Sequence, residues 1–148
     1  MASRSPQLRF LGEAFDRLAR EYPSTRDGLS LTERRILAAT PRGRHPGRDG
    51  VRPARGAGGP AVLGDLFFFR IVARLAGAAV PLLELNPPGG RVDAGTRLRR
   101  PEAGDRVLRG EAEHVALNAI DRWVGGVHLH GPEARWRWDE GTETLTRW

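Results

Sequence analysis

Residues 110–144 constrain the fold of this chain more than any other stretch. A helix-period run reaches Trp123, the Gly125-Gly126 pair breaks it, and period-two alternation takes over in VHLH and ARWRW. Gly131-Pro132 supplies a turn between those two pieces, so VHLH and ARWRW are predicted to form an antiparallel hairpin. Asp139-Glu140-Gly141 is another turn, and a short third strand can follow it. Any fold for the chain must therefore join helices to a Trp-rich C-terminal hairpin.

The preceding sequence reads mostly as helix. LRFLGEAFDRLAREY (8–22) repeats Leu8, Leu11, Phe15 and Leu18 at spacings of three and four until Pro23 stops it. GLSLTERRILAAT carries Ser30 three residues before Glu33, the spacing of a capping box, with Leu31, Ile36 and Leu37 as its buried stripe. LGDLFFFRIVARLAG (63–77) is apolar nearly all round, and Arg70 and Arg74 form its main polar stripe. VPLLEL, the NPPGG turn and TRLRR suit two short strands. PEAGDRVLRGEAEHVALNAIDRW is predicted as one closing helix with Pro101 in its first turn, weakened by Gly104 and Gly110.

Between the second and third helical segments the pattern fails. In residues 41–62 Gly and Pro recur every few positions, and five arginines face one aspartate. A basic arm for nucleic acid and an inert loop both fit. A third account is a pair of compensating frameshifts in a GC-rich gene, replacing an original helix. Translating the coding DNA in the other two frames tests this account, and finding no helix-like peptide there would remove it.

Helix, helix, two-stranded wing, helix is the order of a winged-helix domain, which predicts a mostly helical α+β fold with a small wing and a C-terminal hairpin. TERRILAAT takes the place of its first helix and LGDLFFFRIVARLA the recognition position. PEAGDRVL resembles the L-T-x-x-G-x-x-x-L pattern that follows the wing in many bacterial winged-helix regulators, with Arg100 and Pro101 replacing Leu-Thr. The blocks EYPSTRDGLSLTERRILAA, LGDLFFFRIVARLAG, GEAEHVALNAIDRWVGGVHL and ARWRWDE also resemble the C-terminal part of an uncharacterised bacterial two-domain family. The resemblance implies architecture and no chemistry. It also implies an N-terminal domain that these residues do not include. The corresponding division is an N-terminal helix and connector (1–29), a winged-helix-like core (30–122) and the Trp-rich hairpin (123–148).

All 24 basic residues are arginine and the net charge is +6. The guanidinium fork suits phosphate and base edges, although a GC-rich gene alone also produces this bias. Arg70 and Arg74 on the recognition helix, with Arg97 and Arg99 on the wing, are the candidate contacts to duplex DNA. Phe67, Phe68, Trp123, Trp136 and Trp138 are the candidate docking residues for another domain or a second copy. On the hairpin, Trp136 and Trp138 share one face and Arg135 and Arg137 the other. Such a ladder can stack bases, or its tryptophans can close a core and leave the arginines in water. Glu111, His114, Asn118 and Asp121 form one helical stripe. With His128 and His130, the residues Glu111, His114 and Asp121 make a candidate metal set, although carboxylate-bridged sites draw on a second such helix.

No serine sits in a nucleophile elbow, and the absence of cysteine excludes disulfides and thiolate chemistry. No apolar run approaches a membrane span, and the first residues lack a signal-peptide core. The expectation is a cytoplasmic, non-enzymatic binding module with no cofactor and no membrane partner. Its ligand is duplex DNA or a protein surface.

Overall fold

The computed structural model describes residues 6–42, 65–93 and 95–148. The structure is α+β, with five helices and three antiparallel two-stranded hairpins. The helices are α1 (Pro6–Ala19), α2 (Leu31–Ala39), α3 (Asp65–Ala76), α4 (Glu102–Leu108) and α5 (His114–Asn118). The hairpins pair β1 (Glu84–Asn86) with β2 (Arg97–Arg99), β3 (Ile120–Val124) with β4 (Val127–Gly131), and β5 (Trp136–Asp139) with β6 (Thr144–Arg147). The chain divides into two compact units. Unit 1 comprises 1–31 and 113–148, and unit 2 comprises 32–112. The N-terminal segment and the C-terminal hairpins, expected as separate flanking pieces, thus belong to one unit. The 41–62 segment lies outside the described residues except for Pro41 and Arg42.

The expectation of a mostly helical, winged-helix-like domain does not hold. Helix accounts for 37% and strand for 23%. The loss is at the closing helix, which stops at Leu108 instead of running to Trp123. Gly110 adopts φ +74°, its N–H bonds to Val107 O at 2.9 Å, and the Glu111 N–H reaches Arg106 O at 2.9 Å. These two bonds are a Schellman stop, and glycine adopts the required left-handed backbone without a Cβ clash. A new helix, α5, starts only at His114, where Glu113 caps it by accepting from the Ala116 N–H at 2.6 Å. It is five residues long and ends at Ala119, itself at positive φ.

Ile120–Val124 is therefore strand. Gly125 and Gly126, both at positive φ, turn β3 directly into β4, the two-residue geometry that matches strand twist. VHLH consequently pairs with IDRWV and WRWD pairs with TLTR, not VHLH with ARWRW. Asp139 Oδ1 accepts from the Gly141 N–H at 2.8 Å and organises the last turn.

The core of unit 1 gathers Tyr22, Val115, Val124, Leu129, Ala134 and Trp138. The Tyr22 hydroxyl donates to Val124 O at 3.1 Å, and burial pushes its phenol pKa up. Pro23 O accepts from the Trp138 N–H, and the Thr25 N–H returns a bond to Trp138 O, each at 2.9 Å. A segment remote in sequence thus joins the edge of β5.

In unit 2 the buried apolar side chains are Ile36 and Leu37 of α2, Ile71, Val72 and Leu75 of α3, Leu82, Leu83, Leu98 and Val107. The sequence pattern predicts α3 buried on most faces, whereas Leu66 and Phe67 are exposed. Gly104 lets α4 approach the chain at Leu82 closely, since a Cβ there would lie 2.5 Å from the Leu82 carbonyl oxygen. Asp105 binds Arg42 Nε at 2.7 Å and Arg100 Nε at 2.6 Å. Burial works to raise its pKa, but the two guanidinium hydrogen bonds and charges outweigh that and hold the carboxyl below its ordinary range.

Candidate functional site

A groove of about 1020 Å³ runs between α3 and the loop after β1 in unit 2. Leu66, Phe69 and Ala73 supply its apolar wall on the helix side, and Leu83, Leu85 and Pro88 on the other. Four charged residues also line it: Arg70, Arg91, Glu84 and Asp93. The two acids are already engaged. Glu84 Oε2 accepts from Arg99 Nε at 2.6 Å and again from Arg99 Nη2. Asp93 Oδ1 accepts from the Gly95 N–H at 2.8 Å and from the Thr96 hydroxyl at 3.3 Å, folding the loop back on itself. Arg70 and Arg91 are exposed and make no ion pair among the described residues. Among the described residues, the groove thus presents Arg70 and Arg91, neither in an ion pair, beside the Asp93 carboxylate and over an apolar floor.

The predicted nucleic-acid residues separate in this geometry. Arg70 and Arg74 are exposed on α3 one helical turn apart, and Arg97 is exposed on β2 opposite Asn86. Arg99 is spent on Glu84. Arg91 was not among the expected residues, because it follows the NPPGG turn in a stretch with no period to draw attention to it.

The metal set does not assemble. Among the described residues no group of three or more His, Asp or Glu side chains is placed to hold a metal. Glu111 is bound to Arg109, whose Nε and Nη2 donate at 2.6 and 2.8 Å. The hydrogen bonds and charge of Arg109 lower its carboxyl pKa. His114 is buried, with Nδ1 3.2 Å from Asn118 Nδ2 on its own helix. Asp121, His128 and His130 do share the exposed face of the β3–β4 hairpin. His128 Nε2 lies 2.6 Å from Asp121 Oδ1, and this hydrogen bond lowers the Asp121 pKa. The pair is a diagonal cross-strand contact on a solvated face.

The docking residues also divide. Trp123 is 69% exposed and stacks on His128 with centroids 4.7 Å apart. Trp136 and Phe67 are exposed, and Phe68 is half-buried with its ring edge against Phe69. Trp138 belongs to the core, with Arg20 stacked 5.3 Å from its ring. The expected outward arginine face fails at Arg137, which is 2% exposed. Its Nη1 donates to Glu113 Oε1 at 2.5 Å, its Nε donates to Ala134 O at 3.0 Å, and its guanidinium sits 5.1 Å from the Trp148 ring. Glu113 thus uses one oxygen to cap α5 and the other to hold β5. Gly28 lies against that carboxylate at φ +72°, where a Cβ would collide with it. Through this network Glu113 and Arg137 tie the start of α5 to β5.

Comparison with protein-family models, with curated proteins and with solved structures finds no match to this chain. Among the described residues, no helix is long and apolar enough to cross a membrane.

Proposed function

We propose that the chain is a cytoplasmic, non-enzymatic binding module whose unit 2 grips the phosphate backbone of duplex DNA. The observation that carries this reading is the pair Arg70 and Arg91 on one groove, neither ion-paired among the described residues, with Glu84 taken up by Arg99 and Asp93 the one remaining acid of the lining. Charge distribution supports it. Unit 2 holds 15 arginines against 8 acids, while unit 1 holds 9 against 10, so the positive field originates in unit 2. Arg74 and Arg97 extend the basic surface along α3 and β2. Contacts to phosphate hold the backbone and leave sequence largely unread.

The experiment is an anisotropy titration with random duplex DNA over a salt series. The wild type binds, with log affinity falling linearly in log salt. Arg70→Ala and Arg91→Ala each weaken binding several-fold and reduce the salt slope by about 1. A version lacking 41–62 retains this dependence on Arg70 and Arg91. No binding at low salt, or an unchanged slope in the double variant, would refute the reading.

A further inference from the structure

We infer that α1 is a self-association element, and that two copies of this chain pair antiparallel through its apolar face. Leu8, Leu11, Phe15 and Leu18 recur at spacings of three, four and three, the seam of a two-helix interface. All four are open to solvent, at 58, 49, 60 and 37% exposure. A solvated 14-residue helix draws little stability from its backbone alone and relies on burying such a face. At these exposures the four seam side chains present on the order of 400 Å² per copy, while Phe10 sits about 120° round the helix and stays outside the contact. Two copies together bury up to ~800 Å², the range of a weak, concentration-dependent pair.

The chemistry of the face selects a second copy over other occupants. The seam is self-complementary about its midpoint, so antiparallel pairing sets Leu8 opposite Leu18 and Leu11 opposite Phe15, a smaller side chain against a larger one at the centre. Gly12, Ala14 and Ala19 border it, so no ion is desolvated when the helices approach, and nothing lies within 4 Å of where a Gly12 Cβ would stand. Anionic lipid would favour a basic polar face. Within Pro6–Ala19, however, two arginines oppose two acids and the helix carries no net charge. The proposal stands apart from DNA binding, because no residue of the groove takes part.

Sedimentation equilibrium of the full chain across a concentration series tests it. The wild type is a dimer that persists in 1 M salt, because apolar burial is not screened. Leu11→Glu and Phe15→Glu shift it to monomer, raising the dissociation constant at least about 100-fold. Their far-ultraviolet spectra and tryptophan emission stay unchanged, because the side chains replaced are exposed. Should either charge unfold α1, a cysteine reports instead in this cysteine-free chain. Ala14→Cys, beside the seam near its midpoint, oxidises to a linked dimer, and Glu13→Cys on the opposite face does not. A wild type that remains monomeric, or a dimer untouched by both Glu variants, would overturn the proposal. Monomer in solution with Leu11-dependent binding to anionic vesicles would overturn it as well.

Discussion

Unit 1 sinks Arg137 into its interior against Glu113, whereas unit 2 holds Arg70 and Arg91 at its surface with no ion pair among the described residues. The same side chain does opposite work in the two places. In unit 1 the acids outnumber the arginines by one, so a buried guanidinium finds a carboxylate and becomes a strut. In unit 2 the arginines exceed the acids by seven, so after Arg42, Arg99, Arg100 and Arg109 have found partners a surplus remains. Exposed apolar side chains occur in both units, Leu66 and Phe67 on α3 of unit 2 and, in larger number, the Leu and Phe of α1 with Trp123, Trp136 and Trp148 in unit 1. On the proposed reading, unit 2 meets the polyanion and the α1 face of unit 1 meets a second copy.

All four tryptophans lie in unit 1, so tryptophan emission follows that unit while far-ultraviolet dichroism follows both. The largest expected effect uses this difference. Arg137→Ala leaves the Glu113 carboxylate partly buried without its partner and removes the packing on Trp148. Breaking a buried ion pair costs about 3–5 kcal/mol. Denaturant unfolding followed by tryptophan emission should shift by that amount. An emission midpoint that does not move would mean Arg137 is no strut.

A smaller effect is expected from Asp105→Asn in unit 2, which weakens the charge-assisted bonds from Arg42 and Arg100 by about 2 kcal/mol. Here the dichroism transition moves and the emission transition stays. The same residue sets a pH dependence. Its folded pKa lies below the ordinary 3.8, so its stabilisation is full above that value and is lost as pH falls through the folded pKa. Acid titration of the dichroism signal should therefore show a loss below about pH 4 that Asp105→Asn flattens. The smallest effect belongs to Trp123→Ala. The side chain is 69% exposed and stacks on the likewise exposed His128, so stability should change by less than about 0.5 kcal/mol. A larger loss in denaturant unfolding would make Trp123 part of the fold rather than a free face.

Much of unit 2 was legible in the sequence. α2, α3 and the start of α4 fall where periodicity and capping residues put them, and β1 pairs with β2 across the NPPGG segment, although β1 covers Glu84–Asn86 and not 80–85. In unit 1 one departure from the local pattern propagates along the chain. The run from His114 to Trp123 keeps a helical period, yet Gly110 stops α4 through two carbonyl bonds and Ala119 turns the chain into a strand. That changes every strand partner after it. Gly110 carried the needed signal, since a glycine followed by a charged, non-periodic triplet is a helix stop as readily as a weak helix position. The burial of Arg137 had no local signal at all. Alternation places it opposite the tryptophans, and only the distant Glu113 and Trp148 make that side an interior. For the groove, Arg70 was visible from the helix pattern. Arg91 was not, because its role comes from a loop folded by Asp93 and Thr96.

The division of labour between the units is tested most directly by mapping a short DNA duplex onto the backbone amide resonances of the full chain. The account predicts that shifts on titration concentrate between residues 32 and 112, strongest around Arg70, Arg91 and Arg97, with the signals of α1 and the β3–β4 hairpin unmoved. Shifts centred on 1–31 or 113–148, with residues near Arg70 and Arg91 silent, would contradict it.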